Sequence, residues 1–230
     1  MLSRRHFLLA ASSSLLLGCN NSSGRLPPRP GTLAAQQADT PNPALSFQST
    51  DYERIYGAMP NEPYPIPAVD LTEIDPIYYR QEVDFDTGEP AGSILVDTPN
   101  RFLYFTKPDG KAIRYGVGIG RAGFAWGGTA RIGAKREWPK WFPPAEMRER
   151  QPELEKYAGG MEPGLKNPLG ARALYIYEGQ KDTLYRVHGT PQAWSIGKAV
   201  SSGCVRMLQQ DIIDLYQRVP MNAKIEVAQA

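Results

Sequence analysis

From Gly92 onward the chain alternates short apolar runs with glycine and turn residues. SILVDTPNRFLYFT contains two β-rich runs around Thr98-Pro99-Asn100, the pattern of a hairpin. AIRYGVGIG, TARIGAK, ALYIYEG and LYRVHGT follow, each short, branched or aromatic, and punctuated by glycine. In LYRVHGT a period of two puts Leu184, Arg186 and His188 on one face, with Tyr185 and Val187 on the other. His188 then stands at a strand end, where a side chain can enter a cleft. Late in the chain the period changes. Leu208, Ile212, Leu215 and Val219 are spaced four, three and four, which predicts one amphipathic helix closed by Pro220. AKIEVAQ reads as a last strand. Many short strands with a single late helix predict a mainly β domain of sandwich or barrel type.

Three segments depart from this rhythm. Residues 136–170 interrupt the strands with REWPKWFPPAEMRERQPELEKYAGGMEPGLKNPLG, too long for an ordinary connection and of the kind that forms lids or binding loops. Trp138, Trp141 and Phe142 give it apolar area, either for substrate or simply to anchor the loop to the body. Residues 50–91 are too rich in proline for regular structure, yet Tyr56, Tyr64, Ile66, Ile77, Tyr78 and Tyr79 predict a segment that wraps the domain. Residues 19–49 show no sustained apolar period and read as a flexible tether.

The N-terminus bears on compartment. SRRHFLLAASSSLLLGC has a basic start and an apolar run shorter than the roughly 20 residues of a membrane span. Its Arg4-Arg5 pair resembles a twin-arginine export signal, and Leu16-Leu17-Gly18-Cys19 resembles a lipobox in which Cys19 is lipidated. Residues 1–18 would then be removed, leaving a periplasmic protein held to the membrane by its lipid anchor, with the outer membrane the expected destination. Losing Arg4 and Arg5 brings the 26 basic side chains to 24, equal to the acidic ones, so no basic footprint points to nucleic acid.

Composition sharpens the chemistry. The chain has two histidines, His6 and His188, and two cysteines, Cys19 and Cys204. With Cys19 lipidated, Cys204 has no disulfide partner, and an unpaired thiol in an exported protein calls for another purpose. A nearby imidazole can accept a thiol proton and favour the thiolate below the ordinary thiol pKa of about 8.5. Gly203 lets backbone approach a substrate carbonyl, where successive N–H groups can form an oxyanion hole. Arg206 can bind a substrate carboxylate with its planar fork. One His and one Cys fall short of a zinc ligand set, so no metal and no cofactor are expected.

H-G-T, S-I-G and S-x-G-C-V-R-M together resemble the signature of the YkuD-type L,D-transpeptidases, of the ErfK/YbiS kind. The resemblance covers residues 92–228. It implies Cys204 as nucleophile, His188 as base and later acid, and the Gly189 carbonyl as the group that orients the imidazole. Ser201, Ser202, Gly203 and Arg206 match the remaining positions expected to serve the oxyanion or substrate. The common family pattern has histidine where this chain has Ser202, which puts the contribution of a second imidazole in doubt. The implied reaction releases D-Ala from a peptidoglycan tetrapeptide stem by attack at the L-centre of the position-three diamino acid. An amine of another stem, an envelope protein or water would then accept the acyl group. A wall-binding lipoprotein that keeps the fold without catalysis is the rival expectation.

Overall fold

The computed structural model describes residues 49–120, 126–201 and 203–228. The expected signal, the Cys19 lipidation site, nearly all of the tether and Ser202 lie outside the described residues. Among those described, the strands are β1 (Gln81–Asp84), β2 (Ile94–Asp97), β3 (Phe102–Thr106), β4 (Lys111–Gly116), β5 (Ile119–Gly120), β6 (Gly128–Glu137), β7 (Arg172–Glu178), β8 (Lys181–Gly189), β9 (Ala199–Ser201), β10 (Val205–Met207) and β11 (Lys224–Ala228). The helices are α1 (Ser49–Ile55), α2 (Ala145–Arg150) and α3 (Gln209–Arg218), with short 3-10 turns between elements.

Nine strands form one mixed sheet in the order β1-β4-β3-β2-β11-β6-β7-β8-β10, and β5 and β9 make a separate parallel pair. The β2–β3 hairpin turns where the Thr-Pro-Asn punctuation predicts, with Ile94 paired to Phe105. Branched and aromatic side chains suit this pleated, half-buried surface. Ile94, Val96, Leu103, Ile132, Leu174, Ile176, Val187 and Ile225 meet in one core. The sheet turns back on itself: Gly118, just past β4, exchanges backbone hydrogen bonds of 2.9 and 2.8 Å with Arg206 in β10. The molecule is therefore mainly β, with few helices.

Helix α3 covers β7 and β8. Ile212 and Leu215 are fully buried on its inner face, and Leu208 and Val219 are buried just beyond its ends. Each such side chain contributes about 1.5–3 kcal/mol by leaving water. The late helix is not the only one, because α1 and α2 also form. Helix α2 buries no side chain and has no side-chain cap, so its six residues leave no amphipathic period to read.

Residues 50–91 pack across the outer side of α3. Tyr56, Ile74 and Tyr79 form a cluster with Leu208 and Ile196. Polar ties accompany it: Tyr56 Oη accepts the Arg80 N–H at 2.6 Å and lies 3.3 Å from Asp211, while Arg80 pairs with Asp214 at 2.9 Å. Gln210 Nε2 donates to the carbonyls of Gly57 and Pro67 at 3.1 and 3.0 Å.

The insertion runs between β6 and β7. Trp138 is buried against Ile66, Ala171 and Ile213, and its indole N–H donates to Glu62 at 2.8 Å. It anchors the loop to the body. Phe142, in contrast, is 60% exposed. Asn167 is buried and ties the insertion together: its amide donates to the carbonyls of Pro139, Met161 and Glu162, and its oxygen accepts from Leu169 at 2.9 Å.

Candidate active site

The site is set by the pairing of β8 with β10. These strands run parallel, with Val205 opposite Val187, Arg206 opposite His188 and Met207 opposite Gly189. Carrying the register back one step sets Cys204 beside Arg186. Since alternate residues share a face, Arg186, His188, Cys204 and Arg206 lie on the same face of the two strands. Val187, Val205 and Met207 point the other way and are fully buried.

The alternation expected along β8 holds only in its last part. Leu184 has φ +66° and is 76% exposed, and the pairing with β7 slips between Tyr175 and Tyr177. A bulge at residues 183–185 thus takes Leu184 out of the face that Arg186 and His188 share.

His188 is buried, with Nδ1 2.7 Å from the Gly189 carbonyl oxygen. A carbonyl can only accept, so Nδ1 carries the hydrogen and Nε2 keeps its lone pair. The Pro168 carbonyl, from the insertion, also faces the imidazole. Burial nevertheless dominates, and with the charges of Arg206 and Arg186 it pushes His188 down to about 4. The imidazole is therefore neutral near pH 7, ready to accept a proton.

Gly189 sits close against Gln209. A Cβ there would overlap the Gln209 side-chain oxygen, which accepts the Ala171 N–H at 2.9 Å. Gln209, at the start of α3, so links the helix, the insertion and the histidine loop.

Cys204 is a free, partly exposed thiol. Burial pushes it up from the ordinary thiol value, opposed by the Arg186 backbone N–H and the charges of Arg186 and Arg206. At rest the pair is neutral thiol and neutral imidazole. The resting thiolate expected from pairing with the imidazole is therefore disfavoured here, because burial disfavours both ions.

The turn before Cys204 is closed by local hydrogen bonds. The Ser201 hydroxyl donates to the Cys204 carbonyl at 2.7 Å and accepts the Gly203 N–H at 3.3 Å. Ser201 and Gly203 thus turn their polar groups on each other, a local side-chain-to-backbone closure that residue identity alone does not reveal. Gly203 has φ +127°, a conformation that favours glycine. Arg206 donates to the Gln192 amide oxygen at 2.9 Å, a neutral partner from the loop between β8 and β9.

Arg186, Gln192, Gln209 and Asn167 were not singled out from the sequence as site residues. Only Arg186 carried a signal, its position two residues before His188. Among the described residues no group of three or more His, Cys, Asp or Glu side chains stands together to hold a metal ion.

A thiol, a neutral base held in one tautomer and an arginine with a neutral partner form a constellation suited to acyl transfer. The chain belongs to the YkuD family, the L,D-transpeptidase catalytic domain, which matches residues 91–227. The chain is similar to the probable L,D-transpeptidase YbiS of Escherichia coli strain K12, 32% identical over 140 residues that make up 59% of this chain and 44% of that protein. It is 29% identical over 231 residues to the probable L,D-transpeptidase ErfK/SrfK of Salmonella typhimurium, covering 96% of this chain and 69% of the relative. The match thus spans less than half the length of YbiS. A crystal structure described as a probable carnitine operon oxidoreductase caia from Brucella melitensis is 44% identical, covering 70% of this chain and 99% of its own, with a TM-score of 0.48. That description applies to that protein alone.

Proposed function

We propose that the chain is a cysteine-dependent L,D-transpeptidase acting on peptidoglycan stem peptides. The observation that carries this reading is the placement of Cys204 and His188 on one face of adjacent strands, with His188 Nδ1 tied to the Gly189 carbonyl. Nε2 takes the thiol proton as the sulfur attacks the carbonyl of the L-centre of the position-three diamino acid. The imidazolium returns that proton to the departing D-Ala amine, leaving a thioester. An acceptor amine then attacks, gives its proton to His188, and the sulfur leaves. An amine from a second stem yields a 3–3 cross-link, an envelope-protein amine yields a tether to the wall, and water yields a carboxypeptidase. Arg206 grips a carboxylate of the donor stem, supported by its neutral Gln192 partner. Cys19 carries the lipid that holds the protein to the periplasmic face of the envelope.

The test is acylation by a carbapenem, which traps a nucleophilic cysteine of this class. Protein lacking residues 1–18 should gain the mass of one carbapenem, and Cys204→Ala should gain none. His188→Ala should react slowly near neutral pH and recover in part as pH rises, since the thiol then ionises without a base. A folded wild-type protein that takes up no carbapenem across this range would favour the wall-binding reading instead.

A further inference from the structure

Two guanidiniums stand on the Cys204 face, and they are held differently. Arg206 hydrogen-bonds a neutral amide. Arg186 is clamped: its Nη1 and Nη2 donate to the two carboxylate oxygens of Asp182 at 2.7 and 2.8 Å, and Nη1 also donates to the Tyr185 carbonyl at 2.8 Å. The guanidinium lies 4.1 Å from the centre of the Tyr175 ring. The end-on fork of its two terminal nitrogens is taken up by Asp182 within the protein. What Arg186 offers is a fixed charge.

The backbone is distorted to make this clamp. In a regular strand, residues four apart are separated by about 13 Å, beyond the reach of a carboxylate to a guanidinium. The bulge shortens that path. Leu184 sits at φ +66°, unusual for a branched side chain, and its N–H donates to Asp182 Oδ1 at 2.8 Å. Thr183 braces the same turn by donating to the Ile176 carbonyl at 2.7 Å. A non-glycine residue in the left-handed region and an exposed leucine are thus both tolerated where Asp182 reaches Arg186, the kind of local strain that clusters at functional sites.

We propose that Arg186 is a positioning residue for the nucleophile: its backbone N–H and clamped guanidinium set a fixed positive field on the Cys204 sulfur. This rests on the reading of Cys204 as nucleophile. As the S–H bond breaks, the proton goes to His188 Nε2 and the electron pair stays on sulfur, where the field favours it. Arg186 from β8 and Arg206 from β10 are charged side chains on the strand face that Cys204 shares, and both favour the anion on sulfur. Burial and, after it, both of these charges disfavour the imidazolium, which favours passing its proton on to the leaving amine. Asp182, behind Arg186, moderates the field.

The experiment reads thiol reactivity without any substrate, so it is separable from the failure of transpeptidation. The full chain is alkylated with iodoacetamide across pH, and the Cys204 peptide is followed by mass spectrometry. Arg186→Gln should move the midpoint of alkylation up by about half to one pH unit, making the reaction roughly 3- to 10-fold slower near neutrality, while Arg186→Lys keeps most of the wild-type profile. Asp182→Asn, which retains the oxygen that accepts the Leu184 N–H, should move the midpoint down by removing a negative charge. An unchanged midpoint in folded Arg186→Gln overturns the proposal. If that variant does not fold, a midpoint in Asp182→Asn that fails to fall overturns it instead.

Discussion

Arg206 and His188 stand directly opposite each other across the parallel β8–β10 ladder. That one register brings a cation to the buried base and, carried one step past the start of β10, sets Cys204 beside Arg186. A neutral imidazole and a guanidinium with a neutral partner therefore arise from the same strand pairing. Because the Arg206 side chain is held by the Gln192 amide, its fork is not neutralised by that partner. Arg206→Lys should lower kcat/KM on a tetrapeptide stem by about 10-fold, roughly 1.4 kcal/mol, mainly through KM, since a lysine keeps the charge and loses the bidentate geometry. Steady-state kinetics with D-Ala release as readout check this. An unchanged KM in a folded Lys variant would mean that Arg206 only braces the β8–β9 loop.

Gly189 and Gln209 should behave as a coupled pair. Adding a methyl group at Gly189 displaces the Gln209 side chain from the Ala171 N–H and disturbs the carbonyl that orients His188. Gly189→Ala should cost about 1–3 kcal/mol, as overpacking does in a tight interior. Gln209→Ala in the same chain should restore part of that loss. Urea denaturation of the four members of this double-mutant cycle gives the coupling, and strict additivity would refute the contact.

Acid should act on two buried groups in opposite senses. His188, held down at about 4, binds a proton in the unfolded chain near pH 6.5 but not in the fold, so its contribution to stability is full above 6.5 and is lost as pH falls towards 4. That loss is on the order of 3 kcal/mol. Asp211, pushed up to about 7 by burial against the opposing Arg80 charge, binds its proton in the fold first. Its contribution is full below the ordinary carboxylate range and is lost as pH rises through about 7. Between pH 6.5 and 4 the two offset each other. Asp211→Asn should therefore lose more stability than wild type when urea midpoints at pH 7.5 and 4.5 are compared. Equal losses would mean that Asp211 is already ionised in the fold.

Cys19 is expected to anchor the protein. The full chain expressed in a bacterium should incorporate labelled palmitate and partition into detergent, and Cys19→Ser should abolish both. A single chain binds membranes weakly, so stable partitioning requires the several chains of a lipoprotein. Recovery of an unmodified, soluble N-terminus would remove this expectation.

Local patterns were legible in the chain because they follow from covalent geometry. Alternation placed the hairpin around Thr98-Pro99-Asn100, and the four-three-four spacing from Leu208 to Val219 placed α3, because period two and period 3.6 belong to strand and helix themselves. The scarcity of histidine and cysteine likewise singled out His188 and Cys204. What tertiary structure decided was who stands beside whom. The β8–β10 register, the bulge that lets Asp182 clamp Arg186, the Ser201 hydroxyl turned onto the Cys204 carbonyl, and the approach of Pro168 and Gln209 to the histidine loop leave no periodic trace. Each depends on packing between segments far apart in the chain or on a local closure that competes with regular structure. Their cost and reward are settled only when the whole sheet has formed.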